Sequence, residues 1–89
     1  MQINPDFTLQ QVGDSYVAVP VGKTSRTFHA MIQLNEVGAF LWQRMSEKDC
    51  TEEELVDALM AEYEGAERAT VEADVHRIVE TLQQHNIFR

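Results

Sequence analysis

Residues 32–42 decide the fold, and their sequence is IQLNEVGAFLW. Within this stretch a strand pattern passes directly into a helix pattern. Ile32 and Leu34 share one face of an extended segment. Asn35 is a good helix N-cap, because its side-chain oxygen can accept a hydrogen bond from a free amide of the first turn. The apolar residues that follow repeat at helical spacing, and they are Val37, Phe40, Leu41, Trp42 and Met45.

The residues before this junction predict three strands. Residues 7–12 and 15–20 surround a Gly-Asp turn signal, and the second segment is rich in β-branched and aromatic residues, so they predict a hairpin. Pro20 donates no backbone hydrogen bond and is expected at a strand end or on an edge. A polar loop over residues 21–27 leads to a third strand over residues 28–34.

The residues after the junction predict three helices, over residues 35–46, 51–64 and 67–85. Thr51 and Glu54 have the spacing of a capping box at the start of the second helix. Strands followed by helices indicate an α+β fold, in which helices cover one face of a small three-stranded antiparallel sheet. The outline is similar to a winged helix-turn-helix.

The apolar positions predict the core. The third helix carries a stripe spaced by four, three, one and three residues, formed by Val71, Val75, Ile78, Val79 and Leu82. Ile87 and Phe88 are expected to fold back into the core. The positions for which we predict burial across the whole chain are Leu34, Phe40, Leu41, Leu59, Val75 and Leu82.

Length and charge narrow the class of protein. The chain has 89 residues, which suits one domain over residues 1–89. The net charge is −8, and residues 51–89 hold ten acidic and three basic groups, a net of −7. Such a surface repels nucleic acid and anionic membranes, so a peptide or protein partner is the simplest expectation. No apolar run is long enough for a membrane span, no signal peptide is evident, and a single cysteine suits a cytoplasmic protein.

The sequence predicts no catalytic, metal or cofactor site. Residues 21–24, Val-Gly-Lys-Thr, resemble the end of a phosphate loop, but Val17 stands where that motif needs its first glycine. The three histidines lack a close ligand partner, and Cys50 has no second cysteine with which to form a metal motif. No nucleophile sits in a recognisable catalytic arrangement. We therefore expect a non-enzymatic protein.

Several of these pieces, taken in order, resemble one known family. They are the strand-to-helix segment at residues 32–42, the acidic helix start at residues 51–56, the Asp-Val pair of the third helix and the apolar end at residues 87–88. Together they are similar to the PqqD-like family of peptide chaperones, first known from pyrroloquinoline quinone biosynthesis. The resemblance covers about residues 7–88.

The resemblance implies a RiPP recognition element, a module for ribosomally synthesised and post-translationally modified peptides. Such a module binds the leader segment of a precursor peptide and presents the precursor to a modifying enzyme, often a radical SAM enzyme. Family members can also dimerise, so a homodimer is a further expectation. In the family the leader adds a strand to the sheet and rests between the third strand and the third helix. The groove implied here is lined by Phe28, His29, Ala30, Met31, Ile32, Gln33, Val71, Asp74, Val75, Arg77, Ile78 and Leu82.

Helical spacing refines the expected lining of this groove. Val71, Asp74, Arg77 and Ile78 lie near the margin of the apolar stripe of the third helix. The apolar members would hold leader anchors, and Arg77 would meet an acidic leader residue.

Two other function classes stay open at this point. A winged-helix outline also suits a DNA-binding regulator, although the third helix carries Arg68 and Arg77 against four acidic residues. A small structural subunit without a peptide groove is the third alternative.

Overall fold

The computed structural model describes residues 1–22 and 32–89, and in these ranges a three-stranded sheet precedes three helices. This order confirms the predicted α+β class. The predicted strand residues 28–31, and Lys23 and Thr24 of the Val-Gly-Lys-Thr segment, lie outside the described residues. The elements are β1 (Phe7–Val12), β2 (Ser15–Pro20), β3 (Ile32–Leu34), α1 (Glu36–Glu47), α2 (Glu52–Glu62) and α3 (Arg68–Gln84).

The hairpin of β1 and β2 forms as predicted. The two strands pair antiparallel from Phe7 opposite Pro20 to Val12 opposite Ser15, which leaves a two-residue turn. Gly13 holds a φ of 62° at the first turn position, the left-handed conformation that two-residue hairpin turns favour there. Pro20 is the last residue of β2, where its missing N–H costs least.

Strand β3 pairs antiparallel with β2 and lies at the edge of the sheet order β1-β2-β3. Leu34 lies opposite Tyr16, and Ile32 lies opposite Ala18. Ile32 and Leu34 are buried while Gln33 is exposed, so the period-two alternation predicted for this strand is confirmed over its described residues.

The junction between β3 and α1 is a cap and a close contact. The Asn35 side-chain oxygen accepts a hydrogen bond from the Gly38 amide at 2.9 Å, which confirms Asn35 as the N-cap. A Cβ atom on residue 38 would lie 3.1 Å from Leu34 Cβ, nearer than carbon atoms pack at their optimum of about 3.5–4.0 Å. Gly38 therefore lets the first turn of α1 approach β3 closely.

Helix α2 begins with the predicted capping box. The Thr51 hydroxyl accepts from the Glu54 amide at 3.1 Å, and the Thr51 amide donates back to the Glu54 carboxylate at 3.0 Å. This backbone hydrogen bond, aided by Lys48, lowers the pKa of Glu54. None of the helices in the described ranges has the length and hydrophobicity that crossing a bilayer requires.

The core lies between the inner face of the sheet and the three helices. The predicted core positions Leu34, Leu41, Leu59, Val75 and Leu82 are buried. Phe40 is only half-buried, a correction to the predicted core, because it packs against the rim of the core and lines a surface hollow.

The first and last residues of the chain lie next to each other and pack against the core. The Ile3 amide donates to the Met45 carbonyl at 2.9 Å, and the Asn4 amide donates to the Ile87 carbonyl at 2.8 Å. Ile3 and Phe88 form an isolated antiparallel bridge, and Ile87 is fully buried. The prediction that the apolar end folds back into the core is confirmed.

We predict that Leu59→Ala lowers the free energy of unfolding by about 2–5 kcal/mol, because Leu59 is 2% exposed and the truncation leaves a cavity beneath α3. Leu59→Met conserves volume and should cost less than about 1.5 kcal/mol. Urea denaturation followed by circular dichroism measures both. Equal midpoints for the alanine variant and the parent would show that α2 does not bury this side chain.

We predict that Asn35→Ala lowers the free energy of unfolding by about 0.5–2 kcal/mol, because the Gly38 amide loses its acceptor. Asn35→Asp keeps a good acceptor at the helix N-terminus and should stay close to the parent. Thermal unfolding of the three proteins tests this, and a stability ranking that places alanine above aspartate contradicts it.

Candidate functional site

An open cleft of about 420 Å³ lies between the end of β3 and the middle of α3. We call it the β3–α3 cleft. Leu34 and Ile78 form its apolar floor, and each is 8% exposed. Polar groups surround this floor. The residues that line the cleft are Asp14, Ser15, Gln33, Leu34, Asn35, Arg77, Ile78 and Thr81.

Hydrogen bonds hold part of the polar rim. The Gln33 side-chain amide donates to the Ser15 hydroxyl at 3.1 Å, which ties β3 to the start of β2. The Thr81 hydroxyl donates to the Arg77 carbonyl at 2.9 Å. The Arg77 guanidinium lies 3.3 Å from an Asp74 carboxylate oxygen, and both side chains are well exposed, so this pair contributes little to stability. Arg77 therefore remains accessible to an anionic group on a ligand.

The backbone adds a second feature to the cleft. The edge of β3 that faces away from β2 pairs with no other strand among residues 1–22 and 32–89. An unpaired strand edge presents N–H and C=O groups to which an extended peptide can bond. The cleft thus combines main-chain hydrogen-bonding capacity with an apolar floor.

The structure brings together only some of the residues expected in the groove. Gln33, Arg77 and Ile78 line the cleft, and Ile32 is buried on the inner face of β3. Four expected residues, Phe28, His29, Ala30 and Met31, lie outside the described ranges.

Other expected residues lie elsewhere on α3. Val71 and Asp74 line a separate hollow of about 220 Å³ at the start of this helix. Val75 and Leu82 are fully buried, so in this structure they support the cleft from the core and do not form its surface. The sequence predicts Val71 and Ile78 at the margin of the apolar stripe of α3. Each is only 8% exposed, because α3 packs along its length against the other elements.

Five of the residues that line the β3–α3 cleft are not among those predicted from the sequence. Thr81 lies three residues after Ile78 and four after Arg77, so helical spacing would have found it. Ser15 comes to the cleft through the hairpin register, which sets the start of β2 next to Gln33. The others missed are Asp14, Leu34 and Asn35.

Each arginine of α3 lies beside a carboxylate. Arg68 contacts Asp57 at 3.1 Å and Glu72 at 3.3 Å, and Arg77 contacts Asp74. A DNA-reading helix needs a local excess of basic groups, whereas the carboxylates beside both arginines of α3 would repel phosphates. The arrangement on α3 is therefore a poor nucleic-acid surface.

The histidines and Cys50 form no metal site in the part of the chain that the structure describes. His76 lies 3.2 Å from Glu52 and 3.6 Å from Glu80 on the exposed side of α3. Cys50 is buried, and its thiol lies 3.5 Å from the Lys48 carbonyl. Burial raises the pKa of the Cys50 thiol, which lowers its nucleophilicity at neutral pH.

Comparison with known protein families assigns this chain to one of them. The family model described as coenzyme PQQ synthesis protein D (PqqD) matches residues 16–87. This range includes β2 from Tyr16 onward, β3 and all three helices, and therefore most of the residues that line the β3–α3 cleft. The chain belongs to the PqqD family.

Two solved structures are similar to this chain over most of its length. One is TbiB1 in complex with the TbiA(beta) leader peptide, with 28% identity, a TM-score of 0.71, and coverage of 98% of this chain and 93% of that chain. The other is lasso peptide synthetase B1 complexed with the leader peptide, with 24% identity, a TM-score of 0.66, and coverage of 93% and 89%. No curated protein sequence matches this chain.

We predict that Cys50 reacts with iodoacetamide at pH 8 at least about tenfold more slowly in the native protein than in urea, because the buried thiol ionises less and is sterically shielded. Mass spectrometry over a time course measures the rate. A native rate equal to the unfolded rate would show that Cys50 is exposed.

Proposed function

We propose that this protein binds the leader segment of a ribosomally synthesised precursor peptide in the β3–α3 cleft and presents the precursor to a modifying enzyme. The observation that carries the proposal is the open edge of β3 beside a preformed cleft with an apolar floor. The family and the leader complex of the similar protein TbiB1 support it.

The backbone of β3 supplies the sequence-tolerant part of the binding. A leader in extended conformation adds a fourth strand along β3, and its main chain bonds to the free edge. In this proposal the groove also includes residues 28–31, as the resemblance implies. A disordered leader loses chain entropy on binding, and a preformed cleft limits the remaining cost.

The side chains of the cleft supply the selective part. Leu34 and Ile78 together offer an apolar floor for one leader side chain, which gains roughly 25 cal/mol for each Å² of apolar surface removed from water. Arg77 donates hydrogen bonds to an acidic leader residue, and this new pair replaces its exposed pair with Asp74. Val71 and Asp74 also contact the leader, near the start of α3. Val75 and Leu82 do not touch it but support the cleft from the core.

The protein itself performs no catalysis in this proposal. It acts as one peptide-binding domain over residues 1–89, without a cofactor, and the chemistry belongs to the partner. From the resemblance we propose a radical SAM enzyme as that partner. A short precursor gene and a radical SAM gene next to this one would support that choice, and co-purification with such an enzyme would test it.

We predict that the cognate leader binds with a dissociation constant in the micromolar to nanomolar range, as expected for about 800 Å² buried per partner. Titration calorimetry measures the constant. Two leaders, one N-methylated on its odd-numbered and one on its even-numbered backbone amides, keep their side chains. The one whose methyl groups face β3 loses strand pairing and should bind at least about tenfold more weakly than the unmodified leader, or 1.4 kcal/mol. Binding by both methylated leaders that is as tight as binding by the unmodified leader rules out strand addition. If the protein binds duplex DNA at moderate salt and shows no binding of the leader, the alternative of a DNA-binding regulator is favoured.

We predict that Thr81→Arg weakens leader binding by at least about tenfold, because a long side chain fills the cleft above Ile78. Gln83→Arg is the matched control, since it adds the same side chain and charge at an exposed position of α3 that does not line the cleft. Ile78→Asp is a poorer test, because Ile78 is buried and a charge there would unfold the protein. If Thr81→Arg and Gln83→Arg bind the leader equally, the groove lies elsewhere. Residues 16–19, the next candidate from the sequence alone, belong to β2, which pairs with both β1 and β3 and has no open edge, so the outer edge of β1 would be tested next.

A further inference from the structure

A second hollow, of about 500 Å³, lies on the other side of α1 and shares no lining residue with the β3–α3 cleft. Three half-buried rings, those of Tyr16, Phe40 and Tyr63, line it together with the buried Trp42. We call it the aromatic hollow. It is formed by β1, β2, α1 and the end of α2, so the elements of both the sheet and the helices hold its shape.

Three carboxylates stand around these rings, and they belong to Glu36, Glu47 and Glu62. Across residues 1–22 and 32–89, none of the three has an ion-pair partner. Many acidic residues on α2 and α3 are paired, as Glu54 is with Lys48 and Glu72 with Arg68. The aromatic hollow therefore combines apolar ring faces with uncompensated negative charge.

The ionisation of Tyr63 reflects how closely these groups converge. Partial burial raises the pKa of its phenol, and the charges of Glu36 and Glu62 raise it further. The same carboxylates would attract a cation placed in the hollow. The chain already shows one such contact nearby, since the Arg44 guanidinium lies 5.3 Å from the centre of the Phe40 ring, although Arg44 does not line the hollow.

From this combination we infer that the aromatic hollow is a docking site for an arginine-bearing segment of a partner protein. Arginine fits better than lysine, because its planar guanidinium stacks on aromatic rings and its forked N–H groups can meet two carboxylates at once. The inference goes beyond leader binding. A leader in the β3–α3 cleft leaves the aromatic hollow open, so one chain could hold a leader and a second protein together.

The test uses the full chain without any leader, so its result is independent of the proposed leader binding. The probe is the peptide acetyl-Gly-Arg-Gly-Arg-Gly-amide, and its control replaces each arginine by citrulline, a neutral side chain of nearly the same shape. Amide chemical shifts of the ¹⁵N-labelled protein are followed during titration. The arginine peptide should shift Tyr16, Phe40 and Tyr63 in a saturable way, leave Gln33 and Thr81 unchanged, and bind at least about tenfold more tightly than the citrulline peptide.

Variants separate a built site from general attraction to an acidic protein. The double variant Glu36→Gln/Glu62→Gln should weaken binding by about tenfold, while Glu53→Gln/Glu67→Gln changes the net charge equally and should leave it unchanged. Tyr63→Leu keeps the charge and the apolar contact but removes the ring, and should weaken binding by at least about threefold, in line with the modest strength of cation–π contacts.

Three results would overturn the inference. Equal loss in the two double variants would indicate attraction to net charge alone. Full binding by Tyr63→Leu would indicate that the rings contribute nothing. Concentration-dependent dimerisation in sedimentation analysis, abolished by Tyr63→Leu, would assign the hollow to a second copy of this chain.

Discussion

Close packing of Gly38 against Leu34 fixes how the helices meet the sheet. The strand ends at Leu34, one residue caps the helix, and the helix passes so close to the strand that a Cβ atom on residue 38 would lie 3.2 Å from Leu34 Cδ2. A glycine inside a helix costs about 1 kcal/mol relative to alanine. Here that cost is offset by the close approach, which seats α1 on the inner face of the sheet.

Leu34 has a second role because of this placement. Its backbone belongs to the edge strand and its side chain forms the floor of the β3–α3 cleft with Ile78. Any shift of β3 relative to α1 would move the edge and the floor residue Leu34 together. The packing that stabilises the fold is therefore the same packing that shapes the candidate site.

Much of the fold could be predicted from the sequence, because its signals are local. Asn35 and Thr51 cap helices through hydrogen bonds to residues three positions later, and the hairpin turn is two residues long. The exposure of individual side chains was harder to predict. Phe40 fits the apolar stripe of α1 but lies at its rim, and Val71 and Ile78 fit the margin of α3 but are covered, because burial depends on which neighbours pack there.

The site could be predicted only in outline, for the same reason. Residues on α3 follow from helical spacing, and the resemblance assigned the groove to β3 and α3. Asp14 belongs to the hairpin turn and Ser15 begins β2, and both enter the cleft only through strand register. That register is a long-range property, since Gln33 and Ser15 are 18 positions apart in the chain and still share a hydrogen bond.

The same register links the two surfaces of the molecule. Tyr16 and Leu34 lie directly opposite each other on β2 and β3, yet Tyr16 lines the aromatic hollow and Leu34 lines the β3–α3 cleft. Directly opposed side chains in an antiparallel pair lie about 4.5–5.5 Å apart at their Cβ atoms. The two surfaces are thus separated by a single cross-strand pair and by α1. A peptide on β3 and a partner protein at the hollow would then contact neighbouring strands of one sheet, as the proposed adaptor role requires.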